Sequence, residues 1–189
     1  MEMFEYIAVL TSIIIGLGMA QLLTGLTRII QHPEHAKPYW IHLCWVFYMF
    51  VYAVFWWWWE FELGAIKEWT FGVYLFVIFY AFLVFLMCSL LFPKDFSGYD
   101  GFKGYFYAKR AWFFGVLALS EIIGLGDTAI KGMAYFHGLG AQYVIALTAT
   151  VAFSIGAIFT RNEKFHAVFA VVAISYLIVN GFLVYEIVG

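Results

Sequence analysis

At 189 residues, 65% of them hydrophobic and 12% charged, with a net charge of −2, the chain is too apolar for a water-soluble domain. So short a sequence has too little interior to hide its Phe, Leu, Ile, Val and Trp side chains. The surplus must face lipid, and the absence of a basic stripe excludes nucleic acid as a partner.

A membrane helix needs about 20 mainly apolar residues, because about 30 Å of hydrocarbon is crossed at about 1.5 Å per residue. Six segments qualify: residues 4–30, 39–59, 69–92, 105–131, 142–160 and 165–188. The runs are continuous and lack the two-residue alternation of barrel strands. The reading is an all-α, polytopic six-helix transmembrane bundle in a single membrane domain.

Before the first span, Glu2 and Glu5 stand where a secretory signal carries basic residues, and no small-residue cleavage site closes the apolar run. The segment is therefore expected to stay as a helix. Within it, Gly16, Gly18 and Gly25 permit close approach of another helix, and Gln21 is one of its few polar groups.

The second span ends in Trp56, Trp57, Trp58 and Trp59, and Trp69 opens the third. Indole rings favour the headgroup level, so these five are predicted interfacial anchors. The bulky centres of these two spans predict a wall facing lipid or another subunit, which leaves the polar interior to spans one, four, five and six. Cys44 and Cys88 lie in apolar runs without metal-finger spacing and are expected to fill space.

Between spans three and four, residues 92–110 interleave aromatic and cationic side chains. In helical register Tyr99, Phe102, Tyr105 and Phe106 oppose Asp100, Lys103, Tyr107 and Arg110. This pattern predicts a short interfacial segment in the headgroup layer, with Lys109 and Arg110 as further anchors.

An ionisable side chain at mid-helix costs about 2.5–3.5 kcal/mol on insertion scales. The fourth span carries one, Glu121, beside Ser120 and near its predicted midplane. A carboxyl at that depth that exchanges a proton is what a proton relay or cation site requires. Asp127 precedes Lys131 by four residues, the favoured order for a helical ion pair. Thr150, Ser154, Ser175 and Asn180 on spans five and six, with Gln21 and Asp127, complete the candidate ion, proton or substrate path. Gly124, Gly126, Ala152 and Gly156 are the remaining candidate packing positions.

Cations set the orientation. Arg28, Lys37, Lys94, Lys103, Lys109, Arg110, Arg161 and Lys164 lie at connections 1–2, 3–4 and 5–6, against Lys67 and Lys131 on the opposite side. By the positive-inside rule, those three connections are cytoplasmic and both termini lie outside, in a bacterial-type inner (plasma) membrane. Ser12–Gly18 and Ser120–Gly126 agree at six of seven positions. That similarity raises an inverted repeat of two three-helix halves.

No Walker loop, GxSxG or dinucleotide fingerprint occurs, which argues against an enzyme. No bound cofactor is expected. His42 and His166, near the same helix ends, are the candidates for a haem or metal ion. The function these residues point to is an ion or proton channel, or a proton- or cation-coupled small-solute transporter, acting as a homo-oligomer. A non-catalytic assembly or regulatory subunit binding another membrane protein, lipid or pigment is the alternative, and a haem or metal redox module the second.

Overall fold

The computed structural model describes residues 3–31, 37–66, 68–95 and 98–184, and all regular structure among them is helical. The order is α1 (Met3–Gln31), α2 (Trp40–Trp59) running on into a 3-10 turn (Glu60–Ala65), α3 (Phe71–Leu90), α4 (Gly101–Lys131), the short α5 (Met133–Gly138), α6 (Gly140–Phe159) and α7 (Glu163–Val184). All but α5 are long and apolar enough to cross a membrane. Local chemistry sets the boundaries. The Thr70 hydroxyl accepts from Val73 N at 3.2 Å and the Asn162 side chain accepts from Lys164 N at 2.9 Å, each satisfying a free amide of a first turn. Gly132 and Gly140, at φ 124° and 70°, turn the backbone on either side of α5 in a conformation that side chains disfavour.

Cross-links between connections establish the up-and-down order. At one end Phe102 N donates to Lys37 O at 3.3 Å, the Tyr39 and Tyr107 hydroxyls lie 3.2 Å apart, and Lys103 reaches Glu163 at 2.6 Å. The cation-bearing connections 1–2, 3–4 and 5–6 are thereby gathered together. At the other end Lys131 meets Glu60.

The helices run alongside one another in the sequence α1, α3, α4, α6, while α7 lies along α2. Helix α2 also touches α1, α3 and α4 and is the innermost element: half of its spanning stretch is buried, against 11% in α6. The expected outer wall of spans two and three is therefore wrong for α2. Trp45 is fully enclosed, edge-on to Phe113, Phe114 and Phe169 at centroid distances of 5.4, 5.1 and 5.0 Å. Trp56, expected at the interface, is equally enclosed and edge-on to Tyr80 at 5.4 Å. Hydropathy cannot distinguish a ring surrounded by lipid from one surrounded by other rings, and such ring pairs each add about 0.5–1.5 kcal/mol beyond area burial. Trp57 and Trp58 do face outward, while Trp59 and Trp69 are half-buried. Lys109 and Arg110 are half-buried too, and Arg110 donates to Tyr107 O at 2.5 Å.

No separate interfacial helix lies between α3 and α4 among the described residues. Residues 101–110 are the first turns of α4, and the aromatic face read from the sequence points into protein. Phe102 stacks on His42 at 4.6 Å, Tyr105 donates to Leu90 O at 2.8 Å, and Phe106 packs against Tyr39 and Phe114. The inverted repeat also fails. It would lay α4 along α7 as α1 lies along α3, but α4 runs along α6, and the rings of Phe114 and Phe169, 5.7 Å apart, separate α4 from α7.

Small residues mark only some of the expected seams. A side chain at Gly18 would meet Phe85 Cα at 3.3 Å and Cys88 Sγ at 3.4 Å, and one at Gly25 would enter the Phe92 ring. Gly126 abuts Phe76 and Gly156 abuts Phe165, at 3.2 and 3.1 Å. Gly16 faces open space and Ala152 is exposed, so neither lies at a tight seam within the chain. Overpacking a tight seam costs about 1–3 kcal/mol. Gly18→Leu should therefore lower the unfolding midpoint in detergent while Gly16→Leu leaves it nearly unchanged. Equal effects at the two positions would refute the α1–α3 seam.

Candidate functional site: a polar cavity between α2, α4, α6 and α7

Helical spacing puts the polar residues of α4 on one face, with Ser120, Glu121, Gly124, Asp127, Thr128 and Lys131 separated by steps that sum to turns of the helix. On α2 a matching stripe runs Tyr48, Tyr52, Trp56, Glu60 at four-residue steps. Between these faces, and bordered on the other side by α6 and α7, lies a cavity of about 230 Å³.

A hydroxyl chain fixes its depth. The Tyr80 hydroxyl, from the middle of α3, lies 3.2 Å from that of Tyr52, which lies 3.3 Å from Ser120 Oγ. Ser120 is thus buried at the mid-level of the bundle, and Glu121 beside it turns into the cavity. Gly124 acts as a notch: a Cβ there would stand 2.8 Å from the Tyr80 hydroxyl. Its carbonyl accepts from Thr128 Oγ1 at 2.9 Å and from Tyr143 at 3.3 Å.

At the far end of the cavity, Lys131 closes α4 with a cation where the helix dipole favours one. Its ammonium lies 2.5 Å from Asp127 and 3.0 Å from Glu60, and the three side chains are 2–4% exposed. The pairing of Asp127 with Lys131 read from the sequence is present, and Glu60, from the turn that follows α2, is its third member. Two carboxyls thus share one ammonium, and Glu60 Oε2 and Asp127 Oδ1 are left buried without a hydrogen-bond partner among the described residues. Glu121 forms neither a hydrogen bond nor an ion pair with any described residue. The lining therefore holds three carboxyls and one ammonium, and that ammonium is already engaged.

Of the other candidates, Thr150 and Asn180 line the cavity. Gln21 and Ser175 are exposed and do not. Ser154 is buried, with its hydroxyl unpartnered among the described residues, and lies outside the lining. The residues missed in the sequence are Glu60 and the tyrosines Tyr48, Tyr52, Tyr80, Tyr143 and Tyr176. For α2 the signal was the stripe of polar tips at four-residue steps, the hydroxyls of Tyr48 and Tyr52 and the indole of Trp56, ending in the Glu60 carboxyl.

The histidines are held separately. His42 Nε2 meets Leu91 O at 2.6 Å and His166 Nε2 meets Thr160 O at 3.1 Å. A carbonyl only accepts, so each Nε2 carries the proton. Among the described residues, no group of three or more His, Cys, Asp or Glu side chains is placed to hold a metal ion. Compared with protein-family models, curated proteins and solved structures, the chain matches none.

Removing one partner of a buried ion cluster costs about 3–5 kcal/mol because it strands the remaining charge. Lys131→Met should lower stability in detergent unfolding by that order. Adding Glu60→Gln and Asp127→Asn to it should recover most of the loss. A Lys131→Met protein already as stable as the triple variant would show that the cluster does not tie α2 to α4.

Proposed function

We propose that this protein is a proton- or cation-coupled small-solute transporter, or an ion or proton channel, of a bacterial-type inner membrane. One observation carries the reading: Glu121 presents a carboxyl with no described partner to a cavity at the mid-level of the bundle. An ionisable group at mid-depth is expensive, which makes an unpaired carboxyl facing an enclosed space a pointer to proton or ion exchange there. The polar residues of the cavity descend from Glu121 to the Glu60–Lys131–Asp127 cluster, which gives a small ion a graded set of partners toward one end of the bundle. The positive-inside rule puts that end, with both termini, on the outer side, and the connections bearing Lys37, Lys103 and Arg161 in the cytoplasm.

The thin burial of α6 supports a second reading, in which this helix packs against another copy or another subunit and the chain serves assembly. Flux separates the two. In proteoliposomes, wild-type protein should carry a proton- or cation-dependent current or uptake. Glu121→Gln should reduce it at least tenfold while the variant elutes and melts like the wild type. Undiminished flux in a folded Glu121→Gln protein removes Glu121 from the mechanism, and absence of flux from both proteins favours the subunit reading.

A further inference from the structure

We infer that the cavity takes a small amphiphilic organic cation, an ammonium bearing one apolar group, admitted sideways from the bilayer between α6 and α7. This inference rests on the reading of Glu121 as the working residue of the cavity and names its ligand class.

Charge decides the sign. Three carboxyls and one ammonium line the space, and Lys131 is held by Asp127 at 2.5 Å and Glu60 at 3.0 Å. Nothing cationic in the lining is left for Glu121, so an anionic solute would find no free counter-charge there and a cation would supply the missing partner.

The walls distinguish an organic from an inorganic cation. Tyr48, Tyr52, Trp59, Phe153, Phe169 and Tyr176 surround the space with rings, whose faces attract quaternary and alkylated ammonium groups. A bare metal ion needs converging oxygen or nitrogen ligands. No such group of three acidic, His or Cys side chains occurs among the described residues. Size limits the ligand further, since about 230 Å³ falls below the about 300–1,000 Å³ of sites for drug-sized molecules.

The route follows from packing. α6 lies close to α4 and α7 close to α2. α6 and α7 meet near their junction, where Phe153 stacks on Phe169 at 5.5 Å and Phe165 abuts Gly156, and part toward Val172 and Tyr176. Phe153 on α6 and Val168, Val172 and Tyr176 on α7 line the cavity, yet are 43%, 60%, 56% and 40% exposed. The cavity is thus open along the seam that faces hydrocarbon. A ligand there sets its apolar group among these side chains and its ammonium toward Glu121.

The test uses the full chain in detergent, titrated calorimetrically with phenyltrimethylammonium and with tert-butylbenzene, which has the same shape with carbon in place of the charged nitrogen. Saturable one-to-one binding of the cation is expected, with no competition from the hydrocarbon. Glu121→Gln should weaken it at least tenfold. Val172→Trp, a change at an exposed position, should weaken it or slow association to a similar degree without altering the melting temperature.

No saturable binding to the wild type overturns the proposal, as does effective competition by tert-butylbenzene or unchanged affinity in a folded Glu121→Gln protein. A Val172→Trp protein that binds like the wild type overturns the sideways route. Loss of flux in Glu121→Gln without any binding of phenyltrimethylammonium rejects the ligand class and leaves the transport reading standing. Glu121-dependent binding without flux in either protein upholds the ligand class and rejects transport.

Discussion

Lipid offers a carboxyl group nothing to bond with, and that constraint organises the bundle. Glu60, Glu121 and Asp127 come from two helices far apart in sequence, and each must turn toward protein or enclosed space. Satisfying Glu60 and Asp127 brings the C-terminal part of α2 against that of α4, where Lys131 bridges the two, while Glu121 turns to the enclosed space. With α2 held there, its aromatic side chains become the centre of the molecule: Trp45 and Trp56 fill the space between α3, α4 and α7. α1, with no carboxyl facing inward, is left to pack along α3 through Gly18 and Gly25.

The two acidic regions of the cavity differ in kind. The Glu60–Lys131–Asp127 cluster is closed: its ammonium is doubly engaged and its side chains are almost fully buried, so its first consequence is to fix the ends of α2 and α4 relative to each other. Glu121 is open. It sits beside a hydroxyl chain from Tyr80 through Tyr52 to Ser120 that ends short of its carboxyl. The hydroxyls beside it are engaged with one another, while its own carboxyl has no described partner.

Much of this was legible from residue order alone. Six apolar runs of sufficient length fixed the helix count, the cations marked the connections that share an end, and Glu121 stood out because a carboxyl rarely interrupts such a run. The aromatic face of residues 102–106 was also readable, but its partner was not. Phe102, Tyr105 and Phe106 would suit a headgroup layer as well as a protein core, and only the position of His42, Leu90 and Phe114 decides between them. The same ambiguity misplaced α2. Hydropathy measures avoidance of water, and in a membrane both the lipid and the interior satisfy it. Tyr48, Tyr52 and Glu60 carried the distinguishing information, since polar tips at four-residue steps on an otherwise apolar helix would strand in lipid.

Packing explains why a void exists where these residues meet. Helices approach closely where side chains are small, as at Gly18, where a Cβ would stand 3.3 Å from the Phe85 Cα of α3. At the level of Glu121 the facing residues are Tyr48, Tyr52, Phe169 and Tyr176, whose rings hold the backbones of α2, α4 and α7 apart. Rings are rigid and flat and do not fill an irregular volume as branched aliphatic side chains do. Polarity adds to the effect, because the hydroxyls of Tyr52 and Tyr80 are oriented by bonding to each other and to Ser120, and so are not free to collapse onto Glu121. The cavity is thus a consequence of the same tyrosines that make α2 the inner helix, and its openness toward α6 and α7 follows from those two helices each having a closer partner elsewhere.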